Sequence, residues 1–171
     1  MDLKPQDLLV ALKLAVRESK TPPPYAELAK SVGLSASEVY QAVRRCRRSG
    51  LVHDDLVPDR KAIVELVVHG IRYLMPAERG AATRGMPTSY GVSPLKELLT
   101  AGDSAPPVWP DPQGKVRGES LKPIYRSVPE ASRRDPKLHA CLALVDALRT
   151  GRARERILAQ EHFRLMIDPV V

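Results

Sequence analysis

Apolar residues recur every three or four positions through most of the first 74 residues. Leu9, Leu12 and Val16 share one helical face, which predicts a helix from about Pro5 to Glu18. Proline suits its first position, where a missing N–H costs nothing. The run TPPP at 21–24 ends it. Leu28, Ala29 and Val32 predict a second, short helix, YAELAKSV, which Gly33 stops by accepting a left-handed backbone. Val39, Val43 and Cys46 fall together at 100° per residue and predict a third helix from Ala36 to Ser49. Ser35 and Glu38 form the S-x-x-E pattern of a capping box at its start, and Gly50 is a natural stop. A fourth helix is expected over 59–74. It places Ile63, Leu66, Val67, Gly70, Ile71 and Leu74 on one broad face, with Val64 and Val68 beside it. So much apolar surface puts this helix at the centre of the fold or at a subunit interface. His69 within it is expected to be a satisfied core or interface histidine.

The pattern then changes. Residues 76–136 hold ten of the sixteen prolines and six of the ten glycines. Trp109, Tyr90 and Tyr125 also lie there, and disordered linkers are poor in aromatics. An ordered, extended segment wrapping the helices is expected, with VWPDPQGKV as a loose hairpin turning at PDPQG. Ser127 and Glu130 suggest a cap before a short helix. Asp135-Pro136 supplies an N-cap and a first-position proline. Leu138, Leu142, Val145 and Leu148 then form an apolar stripe, and Thr150-Gly151 breaks the chain. RARERILAQEHFRLMI continues as a further helix, with Ile157, Phe163 and Met166 expected inside and Leu158 and Leu165 beside them. The expected fold is mainly α, in three segments: residues 1–75, a helix-turn-helix domain, winged-helix-like with a reduced wing; 76–136, a proline/glycine-rich extended segment; and 137–171, a C-terminal helical hairpin.

Composition sharpens this picture. Aromatics make up only 4% of the 171 residues, so the core must rest on Leu, Val, Ile and Ala. The net charge of +7 favours polyanionic partners, namely nucleic acid, an anionic surface or an acidic protein. Cys46 and Cys141 are far apart in sequence, which argues against a clustered metal site and suits half-buried free thiols in a reducing cytoplasm. The N-terminus, MDLKPQDLLVALKLAVRES, has neither a signal-peptide pattern nor a membrane-spanning run. The expectation is a cytoplasmic protein with no membrane association, no metal and no cofactor. The histidines at 53, 69, 139 and 162 are scattered. No phosphate-binding loop, metalloprotease, hydrolase or dinucleotide motif occurs, so no enzyme and no catalytic residue is predicted.

The candidate chemistry lies in SASEVYQAVRRCRRSGLV, residues 35–52, where four arginines fall within five positions. Cys46 takes an inner position, where cysteine acts as a small hydrophobe. Ser37, Gln41, Arg44 and Arg48 fall roughly opposite. Tyr40 and Arg47 border both faces, and Arg45 lies beside the polar stripe. Two helices joined across Gly33-Leu34-Ser35 have helix-turn-helix spacing, in which the second helix meets DNA with its outer face and N-terminal end. Gln can pair bidentately with adenine and Arg with guanine. Ser37 and Gln41 sit where base contact is usual; Arg45, Arg47 and Arg48 lie further along and suit phosphates.

YAELAKSVGLSASEVYQAVRRCRRSGLV resembles the helix-turn-helix core of bacterial winged-helix transcription regulators of the MarR and Lrp kind, over about 28 residues. The resemblance implies that Ala36, Ser37, Tyr40, Gln41 and Arg44 face the major groove. One departure stands out. After Gly-Leu-Val, LVHDDLVPDRKA leaves room only for a stub of a wing, and Asp54 and Asp55 would repel phosphate. The C-terminal part, with PVWPDPQGKVRG and LVDALRTGRARER, resembles the tails of bacterial proteins in which a helix-turn-helix comes first, and this implies no activity. Together these features predict a sequence-specific regulator of double-stranded DNA, a repressor and a homodimer. Its candidate DNA-binding residues are Ser35, Ala36, Ser37, Tyr40, Gln41, Arg44, Arg45, Arg47 and Arg48. The alternative is a protein-interaction module, such as an antitoxin-like or adaptor partner of an acidic protein, built on the same fold. Arg149, Arg152, Arg154 and Arg156 form a second basic cluster, read first as a solvated face.

Overall fold

The computed structural model describes residues 2–99 and 104–169; the parts of the three expected segments that fall on residues 1, 100–103, 170 and 171 lie outside this set. The described residues are mostly helical, with one small three-stranded sheet. α1 (Pro5–Val16), α2 (Tyr25–Val32), α3 (Ala36–Arg48) and α4 (Arg60–Leu74) follow the apolar periodicity closely. α1 ends two residues before the expected Glu18. Gly33 caps α2 with φ +72, a left-handed conformation that a side chain would strain. Asp59 starts α4, its carboxylate accepting from the Ala62 N–H at 2.9 Å. Between α3 and α4 the chain makes a minimal hairpin, bridged by Val52 and Pro58 alone.

β1 (Arg79–Pro87) pairs antiparallel with both β2 (Val108–Pro110) and β3 (Val116–Leu121). β2 and β3 run in the same direction and meet in a single parallel bridge, Val108 opposite Ser120. The loose hairpin expected for VWPDPQGKV is therefore corrected. Its turn carries the chain from one edge of β1 to the other, because both arms find their partner in β1. Between β1 and β2 the described residues form a 3₁₀ turn, Ser89–Gly91, and α5 (Leu95–Leu98).

α6 (Val128–Arg134) docks on α2. The expected serine cap takes a different form. The Ser127 hydroxyl donates to the Val32 carbonyl at 2.6 Å, tying α6 to the end of α2 instead of capping its own helix. α7 (Pro136–Thr150) packs against α1, α4, α6, α8 (Ala153–Ile167) and the 3₁₀ turn. Its expected stripe of Leu138, Leu142, Val145 and Leu148 is buried, and so are Cys141, Ala143, Leu144 and Ala147 on its other sides. α7 is the axis of the molecule, and one hydrophobic cluster runs from Leu8 to Ile167 around it. α4 owes its broad apolar face to this arrangement: Ile63, Val64, Val67, Val68 and Ile71 are buried, while Leu74 is 61% exposed and His69 faces solvent. In α8 the buried positions are Ala159, Phe163 and Ile167; Ile157 and Leu165, expected at or near the inner face, are exposed. Both thiols are buried, and burial pushes Cys46 up to about 12 and Cys141 still further, so neither is a thiolate near neutral pH.

A buried polar network joins α7 to the sheet. The Asp146 carboxylate accepts from Thr88 Oγ1 and Trp109 Nε1, both at 2.7 Å, and from Arg149 Nη1 at 2.8 Å. Arg149, counted with the exposed basic cluster in the sequence, is instead an interior partner, and its Nε donates to the Met75 carbonyl. His139, packed 5.4 Å from the Trp109 ring, donates from Nε2 to the Pro87 carbonyl at 2.8 Å. Burial holds its pKa below the ordinary histidine value of 6.5. Since the folded value is depressed, the stability His139 contributes is present above the unfolded value and is lost as pH falls through the folded one. Between pH 7 and 5 the unfolding free energy is expected to fall, by at most about 1.4 kcal/mol per pH unit from this group. Urea melts at closely spaced pH values check it; His139→Gln should flatten the slope, and an equal slope in both proteins would refute the assignment.

Candidate nucleic-acid interface

α3 is held by α1 and α2 through Val39, Ala42, Val43 and Cys46, all fully buried. The opposite side is free of the fold. Ser37, Gln41, Arg44 and Arg48, spaced four, three and four residues apart, are exposed along one stripe. Ala36 and Tyr40 lie next to it, also exposed. The Tyr40 ring stands 6.0 Å from Tyr25 and 6.0 Å from the Arg44 guanidinium carbon, so it braces the arginine from below. Ser35 forms the capping box expected of it: its hydroxyl accepts from the Glu38 N–H at 3.1 Å, and Glu38 accepts from the Ser35 N–H at 2.7 Å. That backbone hydrogen bond is the main cause holding the Glu38 carboxyl below the ordinary range.

Two of the arginines are committed elsewhere. Arg45 was expected on phosphate, and this is corrected. It is buried, and its Nε and Nη2 donate to the two oxygens of Asp7 at 2.7 and 2.8 Å. Asp7 itself is inaccessible and also accepts from the Lys4 N–H. A guanidinium fork matches a carboxylate in this way when the pair is shut off from water. Arg47 is half-committed: Nη2 donates to the Asp54 carbonyl of the minimal hairpin, and its Nε lies 4.0 Å from the Asp54 carboxylate. The face open to a ligand thus holds Ser35, Ala36, Ser37, Tyr40, Gln41, Arg44 and Arg48.

Arg126, unnoticed in the sequence, stands at the same end. It lies 3.9 Å from Glu38 and is 79% exposed. It arrives there because Ser127 is bonded to α2, and no local pattern could reveal a contact across 88 positions. The assembled face is rich in amide and guanidinium donors, the groups that meet base edges and phosphates. Among the described residues, no group of three or more His, Cys, Asp or Glu could hold a metal ion. No described helix is long and apolar enough to cross a membrane. The chain matches no protein-family model, no curated protein and no solved structure.

Proposed function

We propose that the chain is a sequence-specific double-stranded DNA-binding transcriptional regulator, a cytoplasmic repressor acting as a homodimer. α2 and α3 would be its helix-turn-helix, and the Val52–Pro58 hairpin a reduced wing. The observation that carries this reading is the stripe Ser37, Gln41, Arg44 and Arg48, solvent-facing on a helix whose other side is fully packed. Gln41 and Arg44 would read bases, supported by Ser37 and Tyr40, and Arg48 would fix the register on a phosphate.

The test is a titration into duplex DNA from the gene's own upstream region and into a scrambled duplex, followed by fluorescence anisotropy at several salt concentrations. The upstream duplex should bind more tightly. Gln41→Ala should relax that preference, a loss of about 1–3 kcal/mol on the specific site. Arg48→Ala should weaken both duplexes alike and make the salt slope shallower by about 1. Absence of binding to either duplex at low salt sinks the reading.

A second reading, a protein-interaction module, is favoured by one observation. Between α4 and α8 runs a groove lined by Val68, Arg72, Tyr73, Leu148, Arg156 and Ile157, with Tyr73 74% and Ile157 64% exposed. Apolar anchors within a basic rim suit an acidic protein surface. Co-purification with a stoichiometric protein partner, lost on Ile157→Glu, would favour it over a DNA reader.

A further inference from the structure

The β1–β3 ribbon carries an arrangement that its own fold does not explain. Its register sets Arg84 directly opposite Arg117. Residues opposite each other in an antiparallel pair project from the same face, and like charges there repel. The other face of the ribbon is closed. A Cβ on Gly85 would lie 2.0 Å from the Trp109 carbonyl oxygen, and one on Gly118 2.0 Å from that of Pro106. The arginine pair is therefore turned outward, and both residues are exposed. Among the described residues neither guanidinium meets a carboxylate; Arg117 Nη2 donates only to the Ala82 carbonyl, at 3.5 Å. Glu119, two positions along the same face, is engaged by Arg79 at 3.4 Å. Lys115, just before β3, is exposed and adds a third cation.

The ribbon is tied to the α2–α3 unit. The Asp111 N–H donates to the Arg84 carbonyl at 3.3 Å, and the Asp111 carboxylate pairs with Arg133 of α6. Arg134 of α6 donates to the Lys30 carbonyl of α2 at 2.9 Å. The minimal hairpin after α3, by contrast, presents Asp54 and Asp55 to solvent.

We propose that this ribbon is a second phosphate-binding surface, which takes the backbone of double-stranded DNA flanking the stretch met by α3. The proposal rests on the DNA-binding reading above. A polyanion relieves the repulsion of the arginine pair and supplies the counter-charge that the fold omits. The neighbouring positions Ala82, Thr83, Gly85 and Gly118 bear only short side chains or none, so the ribbon contributes affinity and not sequence. It takes the place of the backbone contact that the acidic hairpin cannot make.

The experiment compares wild type, Arg84→Gln/Arg117→Gln, and Gln41→Ala/Arg48→Ala on the upstream and scrambled duplexes at several salt concentrations. Each phosphate contact adds about 0.9 to the salt slope. The ribbon variant should lose about 10-fold or more on both duplexes equally, with a slope shallower by about 2. Its thermal midpoint, followed through Trp109 fluorescence, should not fall, because the substitutions remove a repulsion. Unchanged affinity and slope in the ribbon variant, with the α3 variant impaired, overturns the proposal and leaves the α3 reading standing. Loss in the ribbon variant alone overturns the α3 reading and, with it, the placement of the ribbon beside DNA met by α3. A wild-type protein that binds neither duplex at low salt overturns both.

Discussion

Asp7→Ala is expected to lower the unfolding free energy by about 3–5 kcal/mol, because it strands the buried Arg45 guanidinium without its counter-ion. Both oxygens of Asp7 are used by Arg45, and one also holds the Lys4 N–H at the start of α1. Truncation therefore removes a bidentate ion pair and a helix-end contact together. The pair's net worth is a different quantity from the cost of breaking it. Desolvating both groups offsets most of their attraction, so Asp7→Leu/Arg45→Met should recover most of the lost stability. Chemical denaturation of the single and double variants measures this. A single variant within about 0.5 kcal/mol of wild type, the range of ordinary surface substitutions, would falsify the assignment. Since this pair sets how α3 rolls against α1, the outward stripe depends on it without Arg45 touching any ligand.

Asp146→Ala should cost a comparable amount, about 3–5 kcal/mol. It orphans three donors at once: Thr88 Oγ1, Trp109 Nε1 and Arg149 Nη1. Arg149 has two further partners, the carbonyls of Met75 and Pro76, and so keeps part of its satisfaction. Burial pushes the Asp146 carboxyl up against the pull of Arg149 and the two neutral donors. Asp146→Asn preserves volume and can still accept from two donors, but leaves the Arg149 charge unbalanced. It is expected to fall between wild type and Ala. Trp109 is the chain's single tryptophan and reports on this site directly. Its emission should shift to the red in Asp146→Ala before global unfolding, as β2, which carries it, loosens from α7. An unshifted spectrum with wild-type stability would show that the network contributes nothing.

The helices of the first 74 residues and α7 were legible because they rest on local periodicity and local end signals. α3 shows this best: Ser35, Glu38, Val39, Val43, Cys46 and Gly50 all act within one turn or two of their neighbours. Arg45 was not legible in the same way. A helical projection places it beside the polar stripe, and only a partner 38 positions away makes it interior. β1 was missed as a strand because RGAATRGMP shows no alternation of apolar residues. One face of it is covered by backbone, which demands glycine, and the other by solvent. Asp146 left a signal that could have been used, a lone acid in the middle of the apolar run LALVDAL. In α8 the inner face differs from the expected one: the small Ala159 is fully buried, while the bulkier Ile157 is left outside.

The position of α7 has a consequence for how the molecule comes into being. The apolar faces of α1 and α4 close on a helix that lies 60 or more residues further along the chain. Lys13 meets Asp135 at 2.5 Å, and Arg60 reaches the carbonyl of Ile167 at 2.7 Å. During synthesis at about 5–20 residues per second, α1 leaves the ribosome on the order of ten seconds before its cover exists. The arrival of α7 completes a cover that α2 and α3 begin, because α1 packs on both of them as well as on α7.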